Sequence, residues 1–236
     1  MSSGILVARE ESGAKDSAQE LRELGYVAWP APVSRLRFAP HALPRSGLQA
    51  LAFTSRHGVR AFIAANAWRD VPVFAVGQVT ARALHQAGFS RVFVAAGEGQ
   101  SLLDLLRGQL SPKDGQLVHV GADRLQIDIA SQMEAAGFAA RHVPMYRTRA
   151  LSALPTQALG ELRAGRIGTI LLYSADGARV LSVSVEAGNC GEQARRARCV
   201  CLSANVAKSA RIWGWSETLC APEPTQSAMF SLLAAV

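Results

Sequence analysis

The 236-residue chain contains no uninterrupted apolar stretch near the roughly eighteen residues that a bilayer-crossing helix needs. Membrane insertion is therefore not expected. Its opening, Met1-Ser2-Ser3-Gly4, has no basic segment ahead of an apolar one, so the expected location is cytoplasmic. Cysteine is scarce: Cys190, Cys199, Cys201 and Cys220 all fall in the last fifth of the chain, without a Cys-x-x-Cys pair and with no histidine among or after them. That spacing does not suit zinc, and no metal site is expected. Cys199, Cys201 and Cys220 sit in apolar, strand-like runs, where a reduced cysteine is expected to pack as a small hydrophobe.

Several signatures of chemistry are also missing. There is no Gly-x-x-x-x-Gly-Lys-Ser/Thr, no Gly-x-Gly-x-x-Gly and no His-Glu-x-x-His, and phosphoryl transfer and nicotinamide chemistry lose support. His41, His57, His85, His119 and His142 are dispersed, and no Gly-x-Ser-x-Gly elbow accompanies them. A chain lacking metal, cofactor and triad signals is expected to act by binding and orienting a substrate that is already reactive. No cofactor is expected.

Lysine is nearly absent. Only Lys15, Lys113 and Lys208 occur among 25 basic residues, so arginine dominates a formal net charge of +7. The planar arginine fork suits carboxylates and phosphates, although arginine-rich codon usage would give the same bias. The arginines are scattered and no nucleic-acid-binding motif is present, so no nucleic-acid partner is expected. The densest cluster, Arg195-Arg196-Ala197-Arg198, is expected to be a solvated loop.

What the chain does have is short apolar runs alternating with amphipathic stretches, the pattern of α/β proteins whose parallel strands are joined by covering helices. Ile5-Leu6-Val7-Ala8 is followed by a helix expected from Ser17 to Leu24 and stopped at Gly25. Leu117-Val118-His119-Val120, a helix expected from Leu125 to Ala136, and Gly137 repeat that order. Further echoes follow: Phe53-Thr54-Ser55-Arg56-His57-Gly58-Val59-Arg60 matches Leu172-Tyr173-Ser174-Ala175-Asp176-Gly177-Ala178-Arg179. Likewise Ala75 to Ala81 matches Cys201 to Ala207, and Gly88-Phe89 matches Gly214-Trp215. The expected architecture is two similar parallel-sheet lobes from an internal duplication. Two proline-rich or irregular stretches, Pro30 to Pro44 and Tyr146 to Pro155, are expected as connectors or sheet edges.

Ser55 and Ser174 each follow a buried strand and precede a helix, where unpaired N–H groups and a positive dipole favour an anion. Thr80 has the same relation to its strand, and Gly77 lets backbone approach closely. Ser55, Thr80 and Ser174 could equally be plain helix caps. Their recurrence in both lobes favours a shared ligand cleft closing on a polyanionic small molecule.

Leu6-Val7-Ala8-Arg9, Phe53-Thr54-Ser55 with Gly58-Val59-Arg60-Ala61-Phe62, Ala75 to Leu84, Val143-Pro144-Met145-Tyr146-Arg147-Thr148, and Cys201-Leu202-Ser203 with Gly214-Trp215 together resemble the uroporphyrinogen-III synthase family. The resemblance implies a lobe of residues 36–143 inserted into a discontinuous lobe of 1–32 plus 150–236, with hinge connectors at 33–35 and 144–149. It implies a lyase reaction in heme biosynthesis. Hydroxymethylbilane, a linear tetrapyrrole with eight carboxylates, would lose water and cyclise with inversion of its last ring, without a cofactor. Backbone amides at the lobe edges, with Ser55, Gly77, Thr80, Ser174 and Ser203, would hold the substrate's acetates and propionates, and Arg9 is a further candidate. Tyr146 matches the family's tyrosine beside the second connector and would assist departure of the hydroxyl. The enzyme that makes the bilane is a candidate partner.

The chain departs from the family's Thr-Ser-x-Asn at Thr54-Ser55-Arg56-His57, and Val206 stands at the place equivalent to Thr80. The competing expectation is a two-lobed binding protein that closes on an acidic metabolite without catalysis.

Overall fold

A computed structural model describes residues 3–233. Met1 and Ser2, half of the opening tetrapeptide considered above, lie outside the described residues. The N-terminal stretch forms β1 (Gly4–Ala8), α1 (Glu11–Glu23), β2 (Ala28–Pro30) and β3 (Ser34–Phe38). The middle forms β4 (Leu48–Phe53), α2 (Arg56–Ile63), β5 (Val73–Ala75), α3 (Gln78–Gln86), β6 (Val92–Val94), α4 (Gly99–Gln109), β7 (Gln116–Ala122), α5 (Ile129–Ala135) and β8 (Ala140–Ala150). The remainder forms α6 (Thr156–Arg163), β9 (Ile167–Leu172), α7 (Ala175–Ala187), α8 (Gly191–Arg196), β10 (Arg198–Cys201), α9 (Ala204–Ile212), β11 (Thr218–Cys220) and α10 (Gln226–Ser231).

The chain divides into two units, one of Met1–Leu36 with Arg149–Val236 and one of Arg37–Thr148. It passes from one to the other inside β3 and again inside β8. Most of 33–35 and 144–149 is thus strand.

Unit 1 carries the sheet β11-β10-β9-β1-β2, parallel at every pairing. Its central strands are apolar on both faces because both faces are covered. Leu6, Ala8, Leu172, Cys199 and Cys201 meet the helical residues Leu181 and Ala207 and the indole of Trp215, while Ile5, Val7, Leu171 and Val200 meet Leu21 and Met229 on the opposite side. The Trp215 Nε1–H, fully buried, donates to the Ala194 carbonyl at 2.9 Å.

Unit 2 carries the sheet β3-β8-β7-β4-β5-β6, parallel from β8 through β6. Leu51, Phe53, Val118 and Val120 pack on Phe62 and Leu84, and Ala50, Ala52, Phe74 and Leu117 pack on Leu106 and Met133. The ladder β8-β7-β4-β5-β6 is that of β2-β1-β9-β10-β11 with the chain order permuted. Segments that echo one another in sequence therefore hold equivalent places: Thr54-Ser55 follows β4 and Tyr173-Ser174 follows β9. The equivalence is topological, and the duplication itself rests on the sequence echoes.

Local chemistry moves some boundaries. Helix α1 begins well before Ser17 because the Glu10 carboxylate accepts from the N–H groups of Ser12 and Gly13 at 3.0 and 3.3 Å. Helix α5 begins after Leu125 because Asp128 is the residue that caps it, accepting from Ser131 N–H at 3.1 Å. Both helices do end at glycine in the left-handed region, Gly25 at φ 88° and Gly137 at φ 87°. Pro30 lies on the edge strand β2, where a missing N–H is tolerated, and Pro144 faces Gly121 where the β7–β8 register shifts.

Two expectations are corrected. Cys220 is exposed rather than packed, because β11 is the edge strand of its sheet, whereas Cys190, Cys199 and Cys201 are buried. The basic cluster is not a loop: Arg195 and Arg196 end α8 and Arg198 starts β10, and they pair with Glu186, Glu192 and Glu217. No helix among the described residues is long and apolar enough to cross a membrane.

Candidate active site

In an open parallel sheet the ligand position is the carboxyl edge where the strand order reverses. In unit 2 that is the gap between β7 and β4, and a cavity of about 610 Å³ lies there. Its wall takes Thr54 and Ser55 after β4, Gly97 to Gly99 at the start of α4, Ala122 at the end of β7, the 124–127 loop, and Tyr146 and Thr148 from β8.

Each position follows from local structure. Ser55 has extended backbone and caps α2, its Oγ accepting from His57 N–H at 3.1 Å. Gly77 caps α3 with no side chain to offer, and a Cβ there would stand 3.2 Å from the Gly97 Cα, so a larger residue would press these two loops apart by a few tenths of an ångström. Gly58 is more tightly constrained, since a Cβ would come within 2.8 Å of the Val120 carbonyl oxygen and push α2 off β7.

Tyr146 is nine-tenths buried and lines the same cavity wall as Ser55. Burial raises its pKa, the Ser55 hydroxyl opposes this and the nearby Asp123 carboxylate adds to it, so the phenol keeps its proton at neutral pH. The His57 ring lies 5.8 Å and the Phe38 ring 6.2 Å from the tyrosine ring. Tyr146 also borders a smaller cavity of about 340 Å³ that includes Arg37, Asp123 and Arg147.

In unit 1 the corresponding reversal falls between β1 and β9, at Arg9 and Tyr173. Arg9 Nη1 donates to Ser17 Oγ at 3.0 Å and Gln226 Oε1 at 2.8 Å, with its guanidinium 4.1 Å over the Tyr173 ring. Gln226 Oε1 accepts also from Ser17 and Tyr173 hydroxyls, at 2.7 and 3.1 Å. Ser174 caps α7, accepting from Gly177 N–H at 3.0 Å, and Ser203 is the N-cap of α9 without a side-chain capping bond.

Ser55 and Tyr146 are thus brought together, with Gly77 on the same sheet edge. Arg9, Ser174 and Ser203 stand at the carboxyl edge of the other sheet. Thr80 does not cap: it is the third residue of α3 and its side chain is buried, leaving its backbone N–H as the group near the helix start. Sequence reasoning missed Thr54, Arg124, Tyr173 and Gln226. Of these, Thr54 and Tyr173 carried a local signal, standing beside Ser55 and Ser174 in the paired echoes.

His119 is fully buried, and burial together with the neighbouring His142 lowers its pKa to about 4, with Asp128 partly offsetting. An unfolded histidine near 6.5 takes up a proton that the folded one refuses, so stability is complete above about pH 6.5 and falls as pH drops towards 4. The loss over that window is expected to be about 3 kcal/mol. Urea denaturation of the wild type and His119→Gln across it should show the wild type losing more; parallel curves would mean that His119 is not held neutral.

A family model described as uroporphyrinogen-III synthase HemD matches residues 15–231. The chain belongs to the uroporphyrinogen-III synthase family. That family is of lyase type and works in tetrapyrrole biosynthesis. Among solved structures, the chain is similar to a uroporphyrinogen-III synthetase from Helicobacter pylori 26695, with 16% identity and a TM-score of 0.66, covering 100% of this chain and 99% of that one. It is similar also to a mutant uroporphyrinogen III synthase from the extremely thermophilic bacterium Thermus thermophilus, with 17% identity and a TM-score of 0.54, covering 98% and 97%. These likenesses are of fold. No curated protein sequence matches the chain. Family membership implies a small-molecule tetrapyrrole substrate, and it disfavours the non-catalytic binding protein.

Proposed function

We propose that this chain cyclises hydroxymethylbilane to uroporphyrinogen III in the cytoplasm, with loss of water, inversion of the last pyrrole ring and no cofactor. The observation that carries the proposal is Tyr146, nine-tenths buried and sharing the wall of the unit 2 cavity with Ser55, within the span matched by the family.

The chemistry needs little from the protein beyond placement. The bilane loses its terminal hydroxyl readily, so what must be controlled is which ring carbon bonds next. The phenol of Tyr146, neutral at physiological pH, donates a hydrogen bond to the departing oxygen. The substrate's carboxylates are taken by N–H groups at the starts of helices α2, α3, α7 and α9, marked by Ser55, Gly77 with Thr80, Ser174 and Ser203. Arg9 adds a half-buried cation with no carboxylate within ion-pair distance among the described residues. Holding a flexible polyacid in one geometry favours attack at the substituted carbon, through a spiro intermediate, over simple closure. The segments 33–35 and 144–149 are read as the hinge connectors of this substrate-holding arrangement, and the enzyme that makes the bilane as its supplier.

The experiment is product analysis. Purified protein incubated with freshly made hydroxymethylbilane should yield predominantly the type III isomer on chromatography. An isomer ratio equal to that of spontaneous closure would end the proposal and restore the binding-protein reading.

A further inference from the structure

A fully buried histidine touches the wall of the unit 2 cavity from below. His119 lies on β7, opposite Ala52 of β4 and His142 of β8. Its Nε2 is 3.1 Å from Thr54 Oγ1, and its buried Nδ1 has no partner. Thr54 lines the cavity, and its hydroxyl makes no other hydrogen bond among the described residues.

A neutral imidazole has one N–H and one lone pair, so the tautomer sets the direction of the His119–Thr54 bond. With the proton on Nδ1, a buried N–H would be left without an acceptor. With it on Nε2, the unpaired group is a lone pair, the less costly orphan. Nε2–H therefore donates to Thr54 Oγ1. The Thr54 hydroxyl must then send its own proton elsewhere, and no described atom receives it. The doubly protonated ring is disfavoured by burial and by His142, against the weaker pull of Asp128 at the start of α5. Gly121 leaves room for the arrangement: a Cβ there would stand 3.2 Å from Nε2 of His119 and 3.3 Å from Nε2 of His142.

We propose that Thr54 donates its hydroxyl hydrogen to a carboxylate of the tetrapyrrole substrate, and that His119 is the positioning residue that turns this hydrogen into the cavity. The ligand half rests on the function proposed above; the His119–Thr54 half does not. A hydroxyl already relieved of its internal acceptor is a stronger site for an anion than one free to turn back into the protein.

Two measurements test this separately. Long-range proton–nitrogen correlation on labelled, ligand-free protein at neutral pH should show His119 as the neutral Nε2–H tautomer, and an Nδ1–H tautomer would overturn the proposal. In kinetics, Thr54→Val and His119→Met should each raise KM for hydroxymethylbilane about tenfold, with kcat changed far less. The double variant should be no worse than Thr54→Val alone, and His119→Gln, which keeps an N–H near the Nε2 position, should recover most of the loss. Independent, multiplying losses would sink the idea, as would a folded His119→Gln no better than His119→Met. If His119→Met does not fold, Thr54→Val, His119→Gln and the tautomer decide. Wild-type protein that makes no type III isomer would remove the substrate reading and the ligand half with it, whereas the tautomer would still judge the histidine.

Discussion

Tyr146→Phe is expected to slow formation of the type III isomer about a hundredfold while leaving the fold intact. The substitution deletes one oxygen from a side chain that is nine-tenths buried between Ser55, His57 and Phe38. The ring contacts survive, so stability should change little. What disappears is the only phenol bordering the cavity among the described residues, and with it the hydrogen bond to the departing hydroxyl. Because that bond strengthens as the C–O bond breaks, the loss should fall on kcat and kcat/KM alike rather than on KM. Single-turnover kinetics with an unchanged near-ultraviolet circular dichroism spectrum would show it. Unchanged turnover would remove Tyr146 from the mechanism.

Trp215→Ala is expected to give the largest loss of stability, about 3 to 5 kcal/mol for the vacated core volume. The lost indole N–H bond adds less, because the Ala194 carbonyl still accepts from Ala197 N–H at 3.2 Å. The indole is fully buried among Leu181, Ala194 and Ala207, and it ties the turn after α9 to α8. Against a typical domain stability of about 5 to 15 kcal/mol, this is a large fraction. Equilibrium urea denaturation should place Trp215→Phe between the wild type and Trp215→Ala, since phenylalanine refills most of the volume without the N–H. A loss under about 1 kcal/mol for Trp215→Ala would show that the site collapses around the smaller side chain.

Much of the architecture was legible because its signals are local. Apolar runs such as Ile5 to Ala8 and Ala50 to Phe53 mark strands covered on both faces. A small hydroxyl residue between such a run and an amphipathic stretch marks a helix start, which is where Ser55, Ser174 and Ser203 lie. Thr80 shows the limit of that rule. Gly77 took the cap position, so the hydroxyl three residues on turned inward with the first turn of α3. Cys220 shows another: apolar neighbours signal a strand but not whether it is central or at the edge.

The residues that converge on the site were a different matter. Thr54 and His119 are separated by 65 positions and meet because β4 and β7 pair in one register. A slip of one residue would turn the His119 ring to the other face of the sheet. Arg9 and Gln226, separated by 217 positions, meet because β1 lies between β2 and the strand β9 from the far end of the chain. From its sequence alone, this protein's class, its alternating elements, its helix starts and its family resemblance could be derived, since each depends on neighbours along the chain. Which hydroxyl has an imidazole behind it, which tyrosine is buried and which arginine is already engaged were decided by strand order and register, because those bring together groups that no local pattern connects.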